Sequence, residues 1–217
     1  MNQELAQLEL NNCEAPTTAR GQKRRLALLQ SATALFLERG YDAVSLDDIV
    51  QHAGGSKTSI YKYFGNKEGL FVAICDYRRT EFFKDIIPGF AQSKENLRSY
   101  LINNLYNFYN LLSTPEHAAF FRLIFERSQA TSDFAYYFHE QGPKIFLNAI
   151  AKALENAHKR DILYCPEPYY SAQFYAGIIR ELEQRALMGI HINKDDPKVY
   201  AYFEYCIDRF LEGHQKI

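Results

Sequence analysis

Glycine residues divide segment 22–77 into four short apolar patterns, and this division restricts the fold more than any other feature of the sequence. Gly40 follows the first pattern, the Gly54-Gly55 pair follows the second, and Gly65 follows the third. Within each pattern, apolar residues recur every three or four positions, which is the spacing of one face of an α-helix. A glycine directly after such a pattern is a common C-terminal signal. The sequence therefore predicts four helices in about 55 residues, with a tight turn between the second and third that is typical of a helix-turn-helix.

Polar residues that commonly cap helices stand immediately before three of these patterns. Ser45 is followed three residues later by Asp48, which predicts a capping box with aspartate in place of the usual Glu or Gln. Ser56 and Asn66 occupy the corresponding position before the third and fourth patterns. The sequence thus marks the starts of these helices as well as their ends.

The same helical spacing continues through the rest of the chain, with further helices predicted to begin near residues 93, 115, 132, 168 and 197. Pro143 either kinks one helix over residues 132–158 or divides that segment into two helices. We find no strand-type alternation and no internal repeat, so the predicted class is all-α. The predicted parts are a flexible arm over residues 1–19, a three-helix helix-turn-helix domain over 20–67, and a helical domain over 68–217 that continues from it.

Positive charge is concentrated in the helix-turn-helix segment, although the whole chain is nearly neutral with 25 basic and 26 acidic residues. Residues 20–67 carry eight Lys or Arg and four Asp or Glu, and the segments on either side are acidic. A local excess of positive charge suggests contact with a polyanion. The third helix adds hydroxyl and phenol donors, which suit phosphates and base edges. An alternative is that this helix only presents polar residues to water.

Several other classes of protein are disfavoured by the sequence. The chain contains neither a signal peptide nor an apolar run of about 18 residues, so we expect a cytoplasmic protein that does not span a membrane. The four cysteines are scattered and predict reduced thiols rather than a disulfide or zinc site. The six histidines form no metal-binding pair, and no nucleophile elbow or phosphate-binding loop is present. We therefore expect neither an enzyme nor a bound metal or cofactor.

Residues 32–74, ATALFLERGYDAVSLDDIVQHAGGSKTSIYKYFGNKEGLFVAI, resemble the DNA-binding domain of TetR-type transcriptional regulators. The matching positions include Phe36, Gly40 and Tyr41 at the end of the first helix, Tyr61 and Phe64 in the third, and Lys67, Glu68 and Leu70 at the start of the fourth. Two positions depart from the pattern. Gly55 stands where valine is usual, and Thr58 stands where a small residue, often glycine, is usual. These departures leave the class intact, but the base preference cannot be transferred by analogy.

The resemblance implies a set of DNA contacts on this segment. Ser45, Tyr61, Tyr63 and Lys67 would hold phosphates, while Lys57, Thr58 and Ser59 would lie nearest the base edges. The complete set of predicted DNA-contacting residues is Arg24, Arg25, Ser45, Lys57, Thr58, Ser59, Tyr61, Lys62, Tyr63 and Lys67.

A single domain of this kind contacts one half-site, so a two-fold dimer on a palindromic operator is expected. The resemblance places the dimer interface on the last two long helices, over residues 168–188 and 197–212. The residues predicted for that interface are Phe174, Ile178, Leu182, Val199, Phe203 and Phe210. The alternative is that these apolar stripes pack inside one protomer, because a stripe does not identify its partner.

The body of the chain is rich in aromatic residues, and parts of residues 120–190 resemble the effector domain of AefR-like members of the same family. This resemblance implies a pocket for a small-molecule effector, and aromatic walls suit an apolar or planar ligand. The residues predicted for the pocket are Tyr100, Asn104, Phe108, Phe121, Arg122, Phe125, Glu126, Phe146, Phe174 and Arg180. The alternatives are that the aromatic residues form the core and that the charged residues are ordinary surface pairs.

The leading hypothesis is a ligand-responsive repressor that binds its operator as a homodimer and is released by a small molecule. The alternative hypothesis is a helical adaptor or nucleoid-associated protein that has no effector.

Overall fold

The computed structural model describes residues 16–86, 96–130 and 132–215, and every regular element in those ranges is helical. The all-α prediction is confirmed. In chain order the helices are α1 (Ala19–Arg39), α2 (Leu46–Ala53), α3 (Lys57–Phe64), α4 (Lys67–Ile86), α5 (Leu97–Leu112), α6 (Pro115–Ala130), α7 (Ser132–Gln141), α8 (Pro143–Lys159), α9 (Pro168–Ala176), α10 (Arg180–Leu187) and α11 (Pro197–Glu212). Most of the predicted N-terminal arm lies outside the described residues. Among the helices of the described ranges, none has the length and apolar character needed to cross a bilayer.

Local hydrogen bonds explain where the N-terminal helices begin and end. The Ser45 hydroxyl accepts from the Asp48 backbone N–H at 3.2 Å, and the Asp48 carboxylate accepts from the Ser45 N–H at 2.7 Å, so the predicted capping box is present. Asn66 Oδ1 accepts from the Gly69 N–H at 2.7 Å. Ser56 occupies the N-cap position of α3 but makes no side-chain capping bond. Gly40 ends α1 with φ +80°, a backbone conformation that glycine adopts without a Cβ penalty.

The chain divides into two compact units, the first formed by Met1–Glu81 with Leu123–Tyr136 and the second by Phe82–Arg122 with Tyr137–Ile217. In the first unit, Phe71 of α4 is buried against the rings of Phe36 and Tyr41, with centroid separations of 5.9 and 5.2 Å. Phe134 of α7 completes this cluster at 5.3 Å from Phe71. Ile49 of α2 and Ile60 of α3 are fully buried in the same unit, so the helix-turn-helix is held by its apolar faces. The predicted domain boundary after residue 67 stays a prediction.

The second unit is a separate helical core built mainly from α5, α8, α9 and α11. Gly142 and Pro143 divide the segment 132–158 into α7 and α8, which decides between the two alternatives left by the sequence. The single helix predicted for residues 168–188 is instead interrupted by a 3₁₀ turn at Gly177–Ile179. The Tyr175 hydroxyl, fully buried, donates to the Leu101 carbonyl at 2.8 Å and ties α9 to α5.

Candidate nucleic-acid interface

Helix α3 is held by its buried face and presents a polar face outward. Ile60 and Phe64, one turn apart, are both buried in the core of the first unit, as their spacing predicts. The residues on the opposite side are exposed, and Tyr61 retains 54% of its accessible surface. The exposed members of the predicted DNA-contacting set on this helix are Lys57, Thr58, Tyr61 and Lys62, while Ser59 and Tyr63 are half-buried. The helix-turn-helix therefore brings most of the predicted set onto one surface.

Lys57 forms an ion pair across the turn. Its ammonium lies 2.8 Å from Asp47 Oδ2 in the first turn of α2, and this hydrogen bond raises the pKa of Lys57. Both side chains are largely exposed, so the pair can exchange with solvent ions. The partner of Lys57 in the free protein is therefore a carboxylate on the same surface, which spacing along the chain did not indicate.

Ser45 is engaged inside the protein by its capping box. Its hydroxyl and its backbone N–H both contact the Asp48 carboxylate, and these bonds lower the pKa of Asp48. A phosphate at this helix start would share the Ser45 groups with Asp48.

Lys67, the first residue of α4, lies against an aromatic ring. Its ammonium is 4.2 Å from the centroid of Tyr41, and burial lowers the pKa of Lys67. The guanidinium of Arg127 lies 4.0 Å from the same ring and also pairs with Asp42 at 3.7 Å. Burial raises the pKa of Tyr41 to about 12, so this phenol stays neutral. Sequence reasoning did not identify Arg127, because it lies about 85 residues further along the chain.

The two predicted arginines of α1 both point into the helix-turn-helix. Arg24 donates from Nη1 to the Ala53 carbonyl at 2.9 Å and from Nη2 to the Gly54 carbonyl. The guanidinium of Arg25 lies 5.1 Å from the ring centroid of Phe64. The contact of Arg24 with the DNA backbone stays a prediction, and in the free protein the hydrogen bonds of its guanidinium go to the protein's own turn.

The residues predicted for the pocket differ in burial and belong to both compact units, and the pocket itself stays a prediction. Tyr100 and Asn104 are buried in the second unit, and Phe108 packs between Phe121 and Phe146 with centroid separations of 6.3 and 6.4 Å. The other members of the predicted set are exposed: Arg122, Phe174 and Arg180 on the second unit, and Phe125 and Glu126 on the first. Arg122 donates to the Ala186 carbonyl at 3.0 Å, a contact that caps the end of α10.

Most residues predicted for the dimer interface lie in the core of their own protomer. Ile178, Leu182, Phe203 and Phe210 are buried there, and Val199 is half-buried against the same core. A side chain that is already buried in its own protomer offers little area to a partner, so this burial favours the intramolecular alternative, and the interface stays a prediction. Phe174 is the exception, with 69% of its surface exposed.

Other aromatic side chains on α9 and α11 are exposed, and sequence reasoning did not select them. Tyr170 on α9 and Tyr205 on α11 are 67% and 65% exposed. Both are aromatic residues that lie outside the apolar stripe of their helix. That pattern in the sequence could have indicated a second apolar face on each helix.

Comparison with known proteins identifies the family. The model for bacterial regulatory proteins of the tetR family matches residues 28–74. The model for the C-terminal domain of AefR-like transcriptional repressors matches residues 99–215, more than half of the 217-residue chain.

Two curated relatives match parts of the chain. Over 52 residues the chain is 46% identical to the HTH-type transcriptional repressor ComR of Escherichia coli, covering 24% of this chain and 25% of ComR. Over 109 residues it is 28% identical to the HTH-type transcriptional activator FasR of Mycolicibacterium smegmatis, covering 50% of this chain and 48% of FasR. The chain therefore spans between a quarter and about half of the length of these curated relatives.

Solved structures show the same fold over nearly the whole chain. A TetR-family regulator from Mesorhizobium loti superposes with a TM-score of 0.81 at 20% identity, covering 92% of this chain and 100% of the other. The flavonoid-responsive regulator FrrA superposes with a TM-score of 0.75 at 26% identity, covering 89% and 97%. Together with the family models, these matches confirm the resemblance found in the sequence: the chain belongs to the TetR family of bacterial regulatory proteins and carries an AefR-like C-terminal domain.

Proposed function

We propose that this protein is a transcriptional repressor that binds a palindromic operator as a homodimer and is released by a small-molecule effector. The observation that carries the proposal is the geometry of α3, which is anchored by Ile60 and Phe64 and presents lysine, threonine and tyrosine side chains outward. A helix held in this way can enter the major groove, where such donors contact phosphates and base edges. Its place of action is the cytoplasm, where bacterial DNA lies.

The proposed dimer uses the exposed aromatic residues of α9 and α11. Phe174, Tyr170 and Tyr205 present large rings to solvent on the helices that the family resemblance assigns to the interface. Large exposed apolar surfaces are unusual on a monomer, and aromatic residues are enriched at interfaces between proteins. A second copy that covers these rings would join two helix-turn-helix segments in one dimer, as a palindromic operator requires.

The proposed effector is an apolar or aromatic molecule that carries a hydroxyl or amide donor. Asn104 is buried one turn after Tyr100, its Nδ2 donates to the Tyr100 carbonyl at 2.8 Å, and its Oδ1 has no hydrogen-bond partner among the described residues. A buried acceptor without a partner is unfavourable, so a ligand donor at this position would contribute binding energy. The flavonoid response named for FrrA is consistent with a planar ligand of this kind.

Release would require a coupling free energy of about 1–3 kcal/mol between effector and operator, enough to change affinity about 5- to 150-fold. Repression is proposed over activation because ComR and the matched AefR-like model are both described as repressors, although FasR is described as an activator.

The test is selection of DNA by the purified protein. A randomised duplex pool is enriched on the wild-type protein, and the selected duplex is compared with a scrambled duplex by fluorescence anisotropy. We expect a palindromic selected sequence, and loss of binding in the Tyr61→Ala, Lys67→Ala double variant. Tyr136→Ala, which removes another exposed tyrosine, is the matched control.

Two other outcomes would contradict the proposed function. If the pool is not enriched and binding to every duplex falls equally with salt, the nucleoid-associated alternative is favoured. Unchanged operator binding in the double variant would contradict the proposed role of α3. The relatives are regulators, and the proposal includes no enzymatic activity.

A further inference from the structure

Arg24 links helix α1 to the turn of the helix-turn-helix. Its Nη1 donates to the Ala53 carbonyl at 2.9 Å, and its Nη2 donates to the Gly54 carbonyl. Ala53 is the last residue of α2, and Gly54 is its C-cap. The final carbonyls of a helix have no partner within the helix, and a guanidinium, with donors in a fixed planar arrangement, can bind two of them at once. One side chain therefore holds both the end of α2 and the start of the turn.

The guanidinium occupies space that exists because residue 55 is glycine. A Cβ at this position would lie 2.5 Å from Arg24 Cζ, closer than a Cβ atom approaches another heavy atom, so the guanidinium would have to move. Gly55 also has φ +101°, which other residues adopt only with strain. The arrangement thus depends on two residues 31 positions apart, one supplying the donors and the other supplying the space.

The neighbouring residue of α1 contacts the far end of α3. The Arg25 guanidinium lies 5.1 Å from the ring of Phe64, the last residue of that helix. Arg24 contacts the turn that precedes α3, and Arg25 contacts the last residue of α3. Adjacent side chains of α1 therefore constrain both ends of this helix.

We propose that Arg24 is a positioning residue that sets the orientation of α3 and thereby the sequence selectivity of DNA binding, without contacting DNA. The inference rests on the proposed function, because it concerns the same DNA surface. The orientation of α3 decides which base edges Thr58 and Ser59 reach, whereas non-specific affinity depends on the number of phosphates that the surface neutralises. A change in the turn should therefore reduce discrimination between sequences more than it reduces general affinity for DNA.

The test compares Arg24→Ala and Arg24→Lys with wild type on the selected and scrambled duplexes across a series of salt concentrations. Arg24→Lys keeps the charge but cannot bind two carbonyls in one plane. We expect both variants to lower the ratio of selected to scrambled affinity by about 5-fold or more, the size of one lost base contact. The slope of log K against log salt on the scrambled duplex should stay at the wild-type value. Lys23→Ala removes the same charge from the adjacent exposed position and should lower both affinities alike.

Gly55→Ala provides an independent variant that retains Arg24 but fills its space. It should lower the selectivity ratio at least as much as Arg24→Ala does, because it also strains the backbone at residue 55, and the double variant should be no worse than Gly55→Ala alone, because the Arg24 contact is already lost there. Thermal melts establish that each variant is folded at the assay temperature. If Arg24→Ala does not fold, Arg24→Lys and Gly55→Ala still test the inference.

The inference is overturned if Arg24→Lys binds like wild type while Arg24→Ala loses about one unit of salt slope, since that pattern identifies a phosphate contact. Wild-type selectivity in folded Arg24 and Gly55 variants would overturn it equally. Failure of the wild-type protein to enrich any sequence would instead refute the proposed function, so the two failures are distinguishable.

Discussion

The ion pair between Lys57 and Asp47 leads to a prediction about how DNA binding depends on salt. The two charged atoms lie 2.8 Å apart on the outward surface of the helix-turn-helix. In the free protein the Asp47 carboxylate is paired with the Lys57 ammonium, and near DNA this carboxylate would also repel phosphates. Replacing Asp47 with Asn should release Lys57 to neutralise one additional phosphate.

The magnitude follows from counterion release. Each phosphate neutralised on duplex DNA steepens the dependence of log K on log salt by about 0.9. Raising salt from about 50 to 200 mM should therefore reduce the affinity of Asp47→Asn by about 3.5-fold more than it reduces that of wild type. At the lower salt concentration the variant should bind more tightly than wild type.

Fluorescence anisotropy on a scrambled duplex at five salt concentrations measures both slopes. Glu155→Gln is the control, because it makes the same change in charge and removes an ion pair, here with Lys159 at 2.6 Å, on a different compact unit. Its line should run parallel to that of wild type. Parallel lines for Asp47→Asn as well would refute the reasoning and show that Lys57 does not gain a phosphate.

The remaining predictions concern stability and assembly. Ser45→Ala should lower the free energy of unfolding by about 1 kcal/mol because it removes half of the capping box, whereas Ser45→Thr should retain most of it; equal urea midpoints for Ala and wild type would contradict this. The Asp48 carboxylate has a lowered pKa in the folded state, so it stabilises the fold above about pH 4, and this stabilisation is lost as the pH falls through the folded pKa. The difference in urea midpoint between wild type and Asp48→Asn should therefore shrink on acidification. A difference that stays constant with pH would contradict this prediction. Phe174→Glu should shift sedimentation towards the monomer at micromolar concentration without lowering helix content, and an unchanged dimer would exclude this ring from the interface. Tyr175→Phe should cost about 1 kcal/mol in thermal unfolding through loss of one buried hydrogen bond, and an unchanged melting temperature would show that the bond to Leu101 contributes nothing net.

The parts of the fold that sequence analysis predicted correctly are those determined by residues close together in the chain. The capping box joins Ser45 to Asp48, three residues apart, and the burial of Ile60 and Phe64 follows from a spacing of four. Gly54 ends α2 at the predicted position. Residue types and short spacings suffice for such features, because the helix itself brings these groups together.

The parts that could not be predicted depend on which surfaces meet in three dimensions. The basic sequence at the start of α1 does not reveal that Arg24 reaches a carbonyl 29 residues later, since a charge pattern on a helix specifies no partner. In the same way, the apolar stripes of α9 and α11 identify the buried faces but not the protomer that buries them. Phe203 and Phe210 therefore proved to be core residues, while Tyr205 between them faces solvent.

The contact between Arg24 and the turn also determines what can be exchanged between related proteins. Grafting residues 45–67 alone onto another scaffold would separate Gly55 from the arginine that fills the space beside it. It would leave the Ala53 and Gly54 carbonyls without their donors, and the reverse exchange would bring any side chain at residue 55 into collision with the Arg24 guanidinium. The smallest transferable DNA-reading segment is therefore one that begins before Arg24. A hybrid regulator built from this protein should exchange α1, α2 and α3 as a single block.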